Sequence, residues 1–524
     1  MSGIESMRRP GLLALIFILS GLVLSACAPA PAEEISTSKY FDKVELLESA
    51  YIPLQAGDGD YTIRSSVIRD IDADGTADAI LTIATYPVNI SHPIVVLSGD
   101  GPVENIAEQV FPGGIPSVVH SNQIFFADID NDSREDLLIS EAGVDHPPWF
   151  NPDALVGIAM NRGGGIFEDV SATVPEAAKG LRNYPLAAGD LYNDGVIRIV
   201  LPSQAITGEH PNYSGPEKSG LLYWNGDKFV FEQNWIDMSL WWWPVNLYMS
   251  SFLAVQDIDG DGWQDLYVSG HWTTPNHRIL YGSSDFPSEE LLYTLPEGPY
   301  GHTTWETFMQ PDVDFVRGSD VNRVVFEDFD KDGDLDIVSI MEDVQNYKPG
   351  VFEDRDHRWF TDVSENGGAI YGNVWFQVLR NDGERQFVDV LTQGKDLGYR
   401  YYIALLPVDI DLDGDTDLVG QFWNKTEHIG EPVPRWGSTL FINKGNLVFH
   451  TVEADEVFPE LTSEAGQVSR AANFSALGLG VLFPTVITPE NIRGLLVAPN
   501  ELNSADPELR VLRFQATGRF RLPD

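Results

Sequence analysis

The residues of this chain that could do chemistry are aspartates that recur in a nine-residue pattern. Residues 328–336 read D-x-D-x-D-G-x-x-D, and further copies begin at positions 70, 128, 257 and 409, the second with Ser133 in place of glycine. Ca²⁺ prefers six to eight oxygen ligands, and carboxylates at alternate positions of a tight loop can converge on one ion. The pattern therefore predicts about five calcium sites that stabilise the fold.

The predicted ligands occupy positions 1, 3, 5, 7 and 9 of each loop. Position 7 would supply its backbone carbonyl and the others their carboxylates, while glycine at position 6 reaches positive φ without steric cost. Position 12 lacks the glutamate that an EF-hand requires, so these loops are not EF-hands. The predicted ligands are Asp70, Asp72, Asp74, Thr76 and Asp78; Asp128, Asp130, Asp132, Arg134 and Asp136; Asp257, Asp259, Asp261, Trp263 and Asp265; Asp328, Asp330, Asp332, Asp334 and Asp336; and Asp409, Asp411, Asp413, Asp415 and Asp417.

Short apolar runs flank every loop and must position it. Residues 66–68 precede the first loop and residues 79–83 follow it, and the other four copies have equivalent runs. Such runs, rich in β-branched and aromatic residues and bounded by turn residues, predict strands. A single Asp-Gly-rich segment could be an ordinary hairpin turn. Five copies with aspartates in one register favour metal binding.

Two further copies of the pattern are degraded. At residues 190–198, Tyr192 replaces the second aspartate and Arg198 the last, so we expect no calcium there, because an ion would face Arg198. Near position 486 only the second strand, residues 492–498, is recognisable. Repeats spaced by about 60 to 80 residues predict a propeller or a solenoid.

A second recurring signal closes each repeat. It consists of a strand, a turn with Asn and Gly, and a second strand with an aromatic residue about six positions after the asparagine. This combination predicts a β-hairpin, which brings the count to four strands per repeat. The clearest cases are residues 157–170, 222–229, 378–387 and 440–449.

Together the Asp loops and the hairpins resemble the FG-GAP/VCBS family, of which the integrin α-subunit head is the best-known member. The resemblance covers residues 40–524. It implies an all-β, seven-bladed β-propeller with calcium in loops on one rim and ligand binding on the opposite face. It carries over to the five intact loops and fails at position 190 and near 486. We expect residues 41–54 to close the ring against a C-terminal hairpin at 509–522.

The N-terminus predicts a bacterial lipoprotein. Arg8 and Arg9 precede an apolar stretch at residues 11–24, and Leu-Ser-Ala-Cys ends at Cys27, the only cysteine of the chain. This resembles a lipobox, although an ordinary signal peptide with an incidental cysteine would look similar. We therefore expect a signal peptide at residues 1–26, a lipidated Cys27, a tether at 27–39 and the propeller at 40–524. Ala28 after the cysteine favours the outer membrane.

Charge and composition narrow the possible functions. The 524 residues include 33 basic and 79 acidic side chains, for a formal net charge of −46. Such a surface stays acidic even with five divalent ions bound, which argues against a general affinity for nucleic acid or anionic lipid headgroups. With 43% hydrophobic residues the chain can bury a large core.

The connections expected on the face opposite the Asp loops carry most of the histidines. Histidine and aromatic groups around the mouth of a propeller could bind sugars, or a metal through imidazole, or they could simply rigidify long loops. Residues 341–373 form the largest insertion and are a candidate lid or partner surface. The candidate ligand-face residues are His146, Trp149, His210, Tyr213, His271, Trp272, His277, Trp423 and His428.

Three functions are compatible with these features. The first is a calcium-stabilised, lipid-anchored binding or adhesion module of the cell envelope for a polysaccharide or protein partner. The second is a propeller-type polysaccharide lyase or another carbohydrate-active enzyme, with His146, His210, Tyr213 or His271 as the base. The third is a structural component of an envelope complex. The sequence has no G-x-S-x-G, H-E-x-x-H or phosphate-loop motif, which favours binding.

Overall fold

Each Asp loop joins the first two strands of an antiparallel sheet, as the flanking apolar runs predicted. The structure, a computed structural model, shows these sheets within the contact unit formed by residues 37–524. The described residues are 39–55, 60–86, 91–119, 121–141, 156–179, 185–202, 220–233, 252–269, 277–287, 292–296, 315–347, 368–390, 397–398, 400–424, 436–458, 481–500 and 507–522.

Strands account for most of the regular structure in this part of the chain. In chain order they are β1 (Lys43–Pro53), β2 (Asp60–Arg69), β3 (Asp78–Tyr86), β4 (His92–Pro93), β5 (Val95–Leu97), β6 (Ser117–Val118), β7 (Ile124–Ala127), β8 (Asp136–Ile139), β9 (Gly157–Gly163), β10 (Ile166–Asp169), β11 (Ala187–Gly189), β12 (Arg198–Leu201), β13 (Gly220–Trp224), β14 (Phe229–Gln233), β15 (Leu253–Gln256), β16 (Asp265–Ser269), β17 (His277–Leu280), β18 (Leu292–Thr294), β19 (Phe315–Glu327), β20 (Asp336–Tyr347), β21 (Gly368–Asn381), β22 (Phe387–Asp389), β23 (Arg400–Val408), β24 (Asp417–Asn424), β25 (Trp436–Asn443), β26 (Phe449–Glu453), β27 (Val481–Ile487), β28 (Asn491–Asn500) and β29 (Glu508–Thr517).

Helices in the described residues are limited to single turns. None of them is long and apolar enough to cross a bilayer. They are the α-helices α1 (Ala107–Val110) and α2 (Ala454–Val457) and the 3₁₀ turns Ser171–Thr173 and Glu176–Ala178.

The strands form a seven-bladed β-propeller, which confirms the predicted fold class. Blade 1 contains β2, β3 and β5, and blades 2 to 6 each contain four consecutive strands, starting at β7, β11, β15, β19 and β23. Blade 7 contains β27, β28, β29 and β1, and β4 pairs with β6 in a separate two-stranded sheet. The first strand of each blade lies at one edge of its sheet. First strands of different blades contact one another, as β2 does with β23, so these strands line the centre of the ring.

The ring closes by pairing the two ends of the propeller. β1 is antiparallel to β29, with Lys43 opposite Thr517 and Pro53 opposite Glu508. This confirms the expected closure by residues 41–54, but the expected hairpin at 509–522 is wrong: those residues contain the single strand β29, which pairs with β28 on its other side. Because the strands of blade 7 come from opposite ends of the chain, unfolding that blade also opens the ring.

Blade 7 corrects one detail of the sequence interpretation. The copy near position 486 keeps both inner strands, β27 and β28, rather than only the second. They are joined by a tight turn between Thr488 and Asn491. The Thr488 N–H donates to the Asn491 carbonyl at 2.9 Å, and the Asn491 N–H donates to the Thr488 carbonyl at 3.2 Å. In blade 7 a tight turn therefore stands in place of the Asp loop. Sequence reasoning missed β27 because no aspartates follow it to indicate where the strand ends.

Four first strands share an irregularity that the sequence did not reveal. The register of β2, β19, β23 and β27 shifts by one residue at Arg64, Asn322, Ile403 and Thr485. The first three each lie six residues before the first aspartate of their loop. A bulge bends a strand and redirects its side chains, and bulges are common beside functional sites.

The core lies between the blades. The second strands β8, β12 and β16 are buried at every residue, because they face neighbouring blades on both sides. Aromatic pairs join adjacent blades; Phe376 of blade 5 and Phe441 of blade 6 stack with ring centroids 4.3 Å apart. This double-sided burial explains the continuous apolar runs after each Asp loop.

Candidate metal centres

The five intact loops share one backbone conformation. Position 6 has positive φ in each, including Ser133 at 69° and Gly333 at 102°. Position 4 is also left-handed, at Ala73, Asn131, Gly260, Lys331 and Leu412. Sequence reasoning recognised position 6 from its glycines but missed position 4, because most residues there are not glycine. Two left-handed residues in nine fold the loop back on itself and turn alternate side chains inward.

The carboxylates of each loop converge. In each loop three aspartates offer oxygens that lie within 4.8 Å of one another, so these groups could hold a metal ion. The groups are Asp70, Asp72 and Asp78; Asp128, Asp130 and Asp136; Asp257, Asp259 and Asp265; Asp328, Asp330 and Asp332; and Asp409, Asp411 and Asp417.

Loop hydrogen bonds pre-organise the remaining predicted ligands. The carboxylate at position 1 accepts the N–H of position 6, as in Asp328 with Gly333 at 3.0 Å. The carboxylate at position 5 accepts the N–H of position 7, as in Asp332 with Asp334 at 3.0 Å. The same bond from position 7 is made by Thr76, Arg134, Trp263 and Asp415.

Several loop oxygens are buried without a hydrogen-bond donor. They are Oδ1 of Asp130, Asp257 and Asp409. A buried carboxylate oxygen without a donor or cation is costly, and nearly all buried polar atoms in proteins have a partner. Oxygen-only ligands in a tight loop are the donor set of a hard cation such as Ca²⁺. The residues therefore fit a divalent ion.

The ninth aspartate is the most deeply buried member of each loop. Asp336, fully buried, accepts the N–H of Phe329 at 3.1 Å and that of Asn381 at 2.9 Å. The other four ninth aspartates make the same pair of bonds, to position 2 and to the hairpin of their own blade. Burial raises the pKa of Asp78 and Asp136 to about 6 and that of Asp265, Asp336 and Asp417 to about 7.

The hairpin asparagines explain why the two sequence signals occur together. Asn381 donates from its side chain to the carbonyl of Leu335 in its own loop at 3.2 Å and to Ile258 of the preceding blade at 3.3 Å. Asn443 donates to Phe329 of the preceding blade at 3.0 Å. Each asparagine therefore connects two neighbouring loops along this edge, which we call the loop rim.

Basic side chains also contact the loop rim. Arg385 of blade 5 donates to Asp259 of blade 4 at 2.7 Å, and Lys331 lies 2.5 Å from Asp415 of blade 6. Lys444 donates to Asp411 at 2.7 Å, and Arg134 pairs with Asp132 within its own loop. These cations offset part of the carboxylate repulsion, so the five loops differ in electrostatic environment.

The degraded loop of blade 3 keeps the loop shape. Asn193 and Gly195 have positive φ, and Asp190 accepts the N–H groups of Asp194 and Gly195 at 3.0 and 2.7 Å. Arg198 donates to Asp194 Oδ1 and Oδ2 at 2.8 and 2.7 Å. This side-chain hydrogen bond lowers the pKa of Asp194 to about 2.

Two candidate ligand-face residues lie in the described part of the chain. His277 is fully buried, with Nδ1 2.9 Å from the Tyr267 hydroxyl and Nε2 3.1 Å from the Pro296 carbonyl, and burial lowers its pKa to about 4. Its placement on an exposed ligand face is therefore wrong, because both ring nitrogens are used inside blade 4. Trp423 is half-buried, with its ring centroid 5.3 Å from that of Tyr401.

The other candidate residues cannot be placed. Cys27, His146, Trp149, His210, Tyr213, His271, Trp272 and His428 lie outside the described residues. Of the insertion at 341–373, the first residues continue β20 to Tyr347 and the last begin β21 at Gly368, so its two ends form a long hairpin.

A polar cluster at the centre of the ring was missed by sequence reasoning. Arg323 of blade 5 donates to Asn122 of blade 2 at 3.3 Å, and the Tyr401 hydroxyl of blade 6 donates to the same oxygen at 3.4 Å. The guanidinium carbons of Arg64 and Arg323 lie 5.3 and 5.9 Å from the centroid of the Tyr401 ring. We call Arg64, Asn122, Arg323 and Tyr401 the axial cluster.

The position of the axial cluster follows from blade order. Blades 2 and 5 are not neighbours, so side chains from both can meet only at the ring axis. Asn122, Arg323 and Tyr401 precede their Asp loops by five to eight residues, which places them away from the loop rim and toward the opposite face. No sequence signal could identify them, because their separation in the chain exceeds 200 residues for Asn122 and Arg323.

Comparisons with known proteins give only distant structural similarity. No protein-family model matches the chain, and no curated protein sequence is significantly similar to it. The exotype rhamnogalacturonan lyase YesX is 14% identical, with a TM-score of 0.35, over 88% of this chain and 75% of that chain. The rhamnogalacturonan lyase YesW is 12% identical, with a TM-score of 0.32, over 90% and 76%. A glycoside hydrolase is 9% identical, with a TM-score of 0.28, over 79% and 95%.

The assignment of a propeller rests on the strand order of this chain. The resemblance to the FG-GAP/VCBS family remains a prediction, as does lipidation at Cys27.

Proposed function

We propose that this protein is a calcium-stabilised, lipid-anchored binding module of the cell envelope. In this proposal five loops on the rim bind Ca²⁺, and a polysaccharide binds at the opposite face. Lipidated Cys27 holds the propeller on the outer membrane through the tether. A protein partner is the alternative ligand.

The observation that carries the calcium proposal is the set of buried carboxylate oxygens without donors at Asp130, Asp257 and Asp409. When bound, calcium supplies the positive charge that neutralises each group of aspartates. The chain itself provides the rest: backbone N–H groups hold the carboxylates at positions 1, 5 and 9 in place before any ion arrives. A site organised in this way links the first and second strands of its blade.

The axial cluster supports binding on the opposite face. The half-buried Tyr401 ring packs near the axis among Arg64, Asn122 and Arg323, which are buried, and the four residues come from four blades. Aromatic rings pack against sugars. The strand bulge at Arg64 directs that side chain out of the regular alternation.

The experiment uses the full-length, calcium-loaded chain in detergent with a panel of acidic and neutral polysaccharides. Retained polymer and the size of the polymer left in solution are both measured. We expect retention of an intact polymer and weaker retention for Tyr401→Phe and Arg323→Gln, with Arg521→Gln as the matched control because Arg521 is exposed. A shortened polymer would replace this proposal with the lyase alternative. If no polymer interacts with the protein, the polysaccharide proposal falls and a protein partner becomes the proposed ligand.

Anchoring is tested separately with Cys27→Ser. We expect the wild-type chain to be found in the membrane fraction and to incorporate radiolabelled fatty acid. The variant should not incorporate the label. Equal labelling of both chains would contradict lipidation at Cys27.

A further inference from the structure

The third loop keeps the shape of a metal loop while two of its predicted ligands are replaced. Asp190 and Asp194 make the same backbone hydrogen bonds as positions 1 and 5 of the intact loops. Tyr192 stands at position 3 and Arg198 at position 9. Asn193 and Gly195 keep the left-handed backbone of positions 4 and 6 although two ligand positions are replaced. This indicates that the loop shape still serves the structure.

The guanidinium of Arg198 contacts the groups that the ion would otherwise bind. It donates to both carboxylate oxygens of Asp194, at 2.8 and 2.7 Å, and to the carbonyl of Val196 at 2.9 Å. These are the carboxylate at position 5 and the carbonyl at position 7, two of the predicted calcium ligands. The side chain of Arg198 is only 10% exposed, so the charge is held inside the loop.

The two replacements in this loop also contact each other. The guanidinium carbon of Arg198 lies 4.5 Å from the ring centroid of Tyr192 and 5.6 Å from that of Tyr223. A guanidinium over an aromatic face is attracted by the ring. Tyr192, which stands in place of a carboxylate ligand, therefore stabilises Arg198, which takes the place of the ion.

Charge balance agrees with this arrangement. An intact loop such as residues 70–78 contains four ligand-position carboxylates for one proposed divalent ion, and the third loop contains two, Asp190 and Asp194, with the one guanidinium of Arg198. Half of the negative charge is neutralised in both cases.

We propose that Arg198 is the built-in cation of the third loop, so that blade 3 is held together without metal. The inference rests on the proposed calcium role of the other five loops. In this proposal the residues at positions 3 and 9 together decide whether a loop of this chain binds a metal ion or is neutralised by its own arginine.

The first test is hydrogen exchange of the full-length chain in calcium and in chelator, followed by mass spectrometry. We expect peptides covering residues 128–136 and 257–265 to exchange faster in chelator and those covering residues 190–198 to be unchanged. Equal acceleration at 190–198 overturns the inference and leaves the calcium proposal intact. If no loop responds and the purified protein contains no calcium, both fall.

The second test converts the third loop into a metal loop. Tyr192→Asp with Arg198→Asp restores the full set of carboxylates, and we expect one more calcium per chain by elemental analysis than in the wild type. Arg521→Asp, at an exposed position that pairs with Asp42 outside the Asp loops, controls for two of the three negative charges that the double variant adds. A folded double variant with unchanged calcium content overturns the inference. The exchange experiment needs no variant, so it decides the question even if the double variant does not fold.

Discussion

The neighbouring loops of blades 2 and 3 both bring carboxylates close together, but the two loops differ in what compensates the negative charge. They touch, since the Asn131 side chain donates to the Gly195 carbonyl at 2.7 Å, and their backbones share the two left-handed positions. The loop of blade 2 leaves Asp130 Oδ1 buried without a donor, whereas both oxygens of Asp194 in blade 3 are paired with Arg198. Loop shape and the proposed metal binding are therefore separable: the backbone sets the first, and in our proposal positions 3 and 9 set the second.

Calcium removal should have the largest effect and would test the comparison as a whole. A ligand present at 100 times its dissociation constant stabilises the native state by about 2.7 kcal/mol per site. We expect chelator to lower the melting temperature by several degrees or more, measured by calorimetry, with recovery when calcium is returned. An unchanged melt, with no calcium in the purified protein, would remove the distinction between the two loops.

Loss of a ninth aspartate should be the most damaging single substitution. Asp336→Ala would leave the buried N–H groups of Phe329 and Asn381 without an acceptor and remove a predicted ligand. We expect a loss of about 3 kcal/mol in the free energy of unfolding, measured in urea. Asp382→Ala, at an exposed carboxylate of the same blade, serves as control and should leave the midpoint unchanged.

Substitution at position 5 should separate the two loops by their calcium dependence. From the sequence alone we would expect Asp194→Ala to have little effect on stability. In the structure, however, Asp194 forms an ion pair with the nearly buried Arg198. Because Asp194 itself is 45% exposed, we expect a cost of only about 1 kcal/mol, equal in calcium and in chelator. Asp332→Ala should destabilise blade 5 in calcium and much less in chelator. The same calcium dependence in both variants would contradict the comparison.

The pH dependence of the Asp194 pair follows from its lowered pKa of about 2. A carboxyl whose pKa falls on folding contributes stability above its unfolded pKa and loses it as the pH drops through the folded value. The cost of Asp194→Ala should therefore be the same at pH 5 and pH 7. A cost that disappears by pH 5 would mean that the Asp194 carboxyl is already protonated there, so that its pKa is not lowered in the folded state.

The smallest expected effect concerns the connection between blades. Asn443→Ala removes the hydrogen bond to the Phe329 carbonyl of blade 5, and we expect a loss of about 1 kcal/mol in a urea titration. Asn225 of blade 3 is the matched control, since its side chain accepts N–H groups from Asp227 and Lys228 within its own turn. Asn225→Ala should cost less, and an equal cost would show that the asparagines act within the turn only.

Local sequence patterns predicted much of this molecule. The Asp loops, their flanking strands and the hairpins are short-range features, so their residue order is enough to identify them. Even the replacement of two ligand positions in the loop at 190 was visible from Tyr192 and Arg198. The shortened turn of blade 7 was only half recognised, because the aspartates that mark the end of a first strand are missing there.

The sequence by itself determined the repeat, the four-stranded unit and the positions whose carboxylates meet in each loop. Only the tertiary structure decided which residues meet across the ring. The axial cluster joins side chains from four blades, and the burial of His277 depends on Tyr267 and on the Pro296 carbonyl. Closure of the ring creates the axial contacts, and neither kind of contact leaves a periodic trace in the chain.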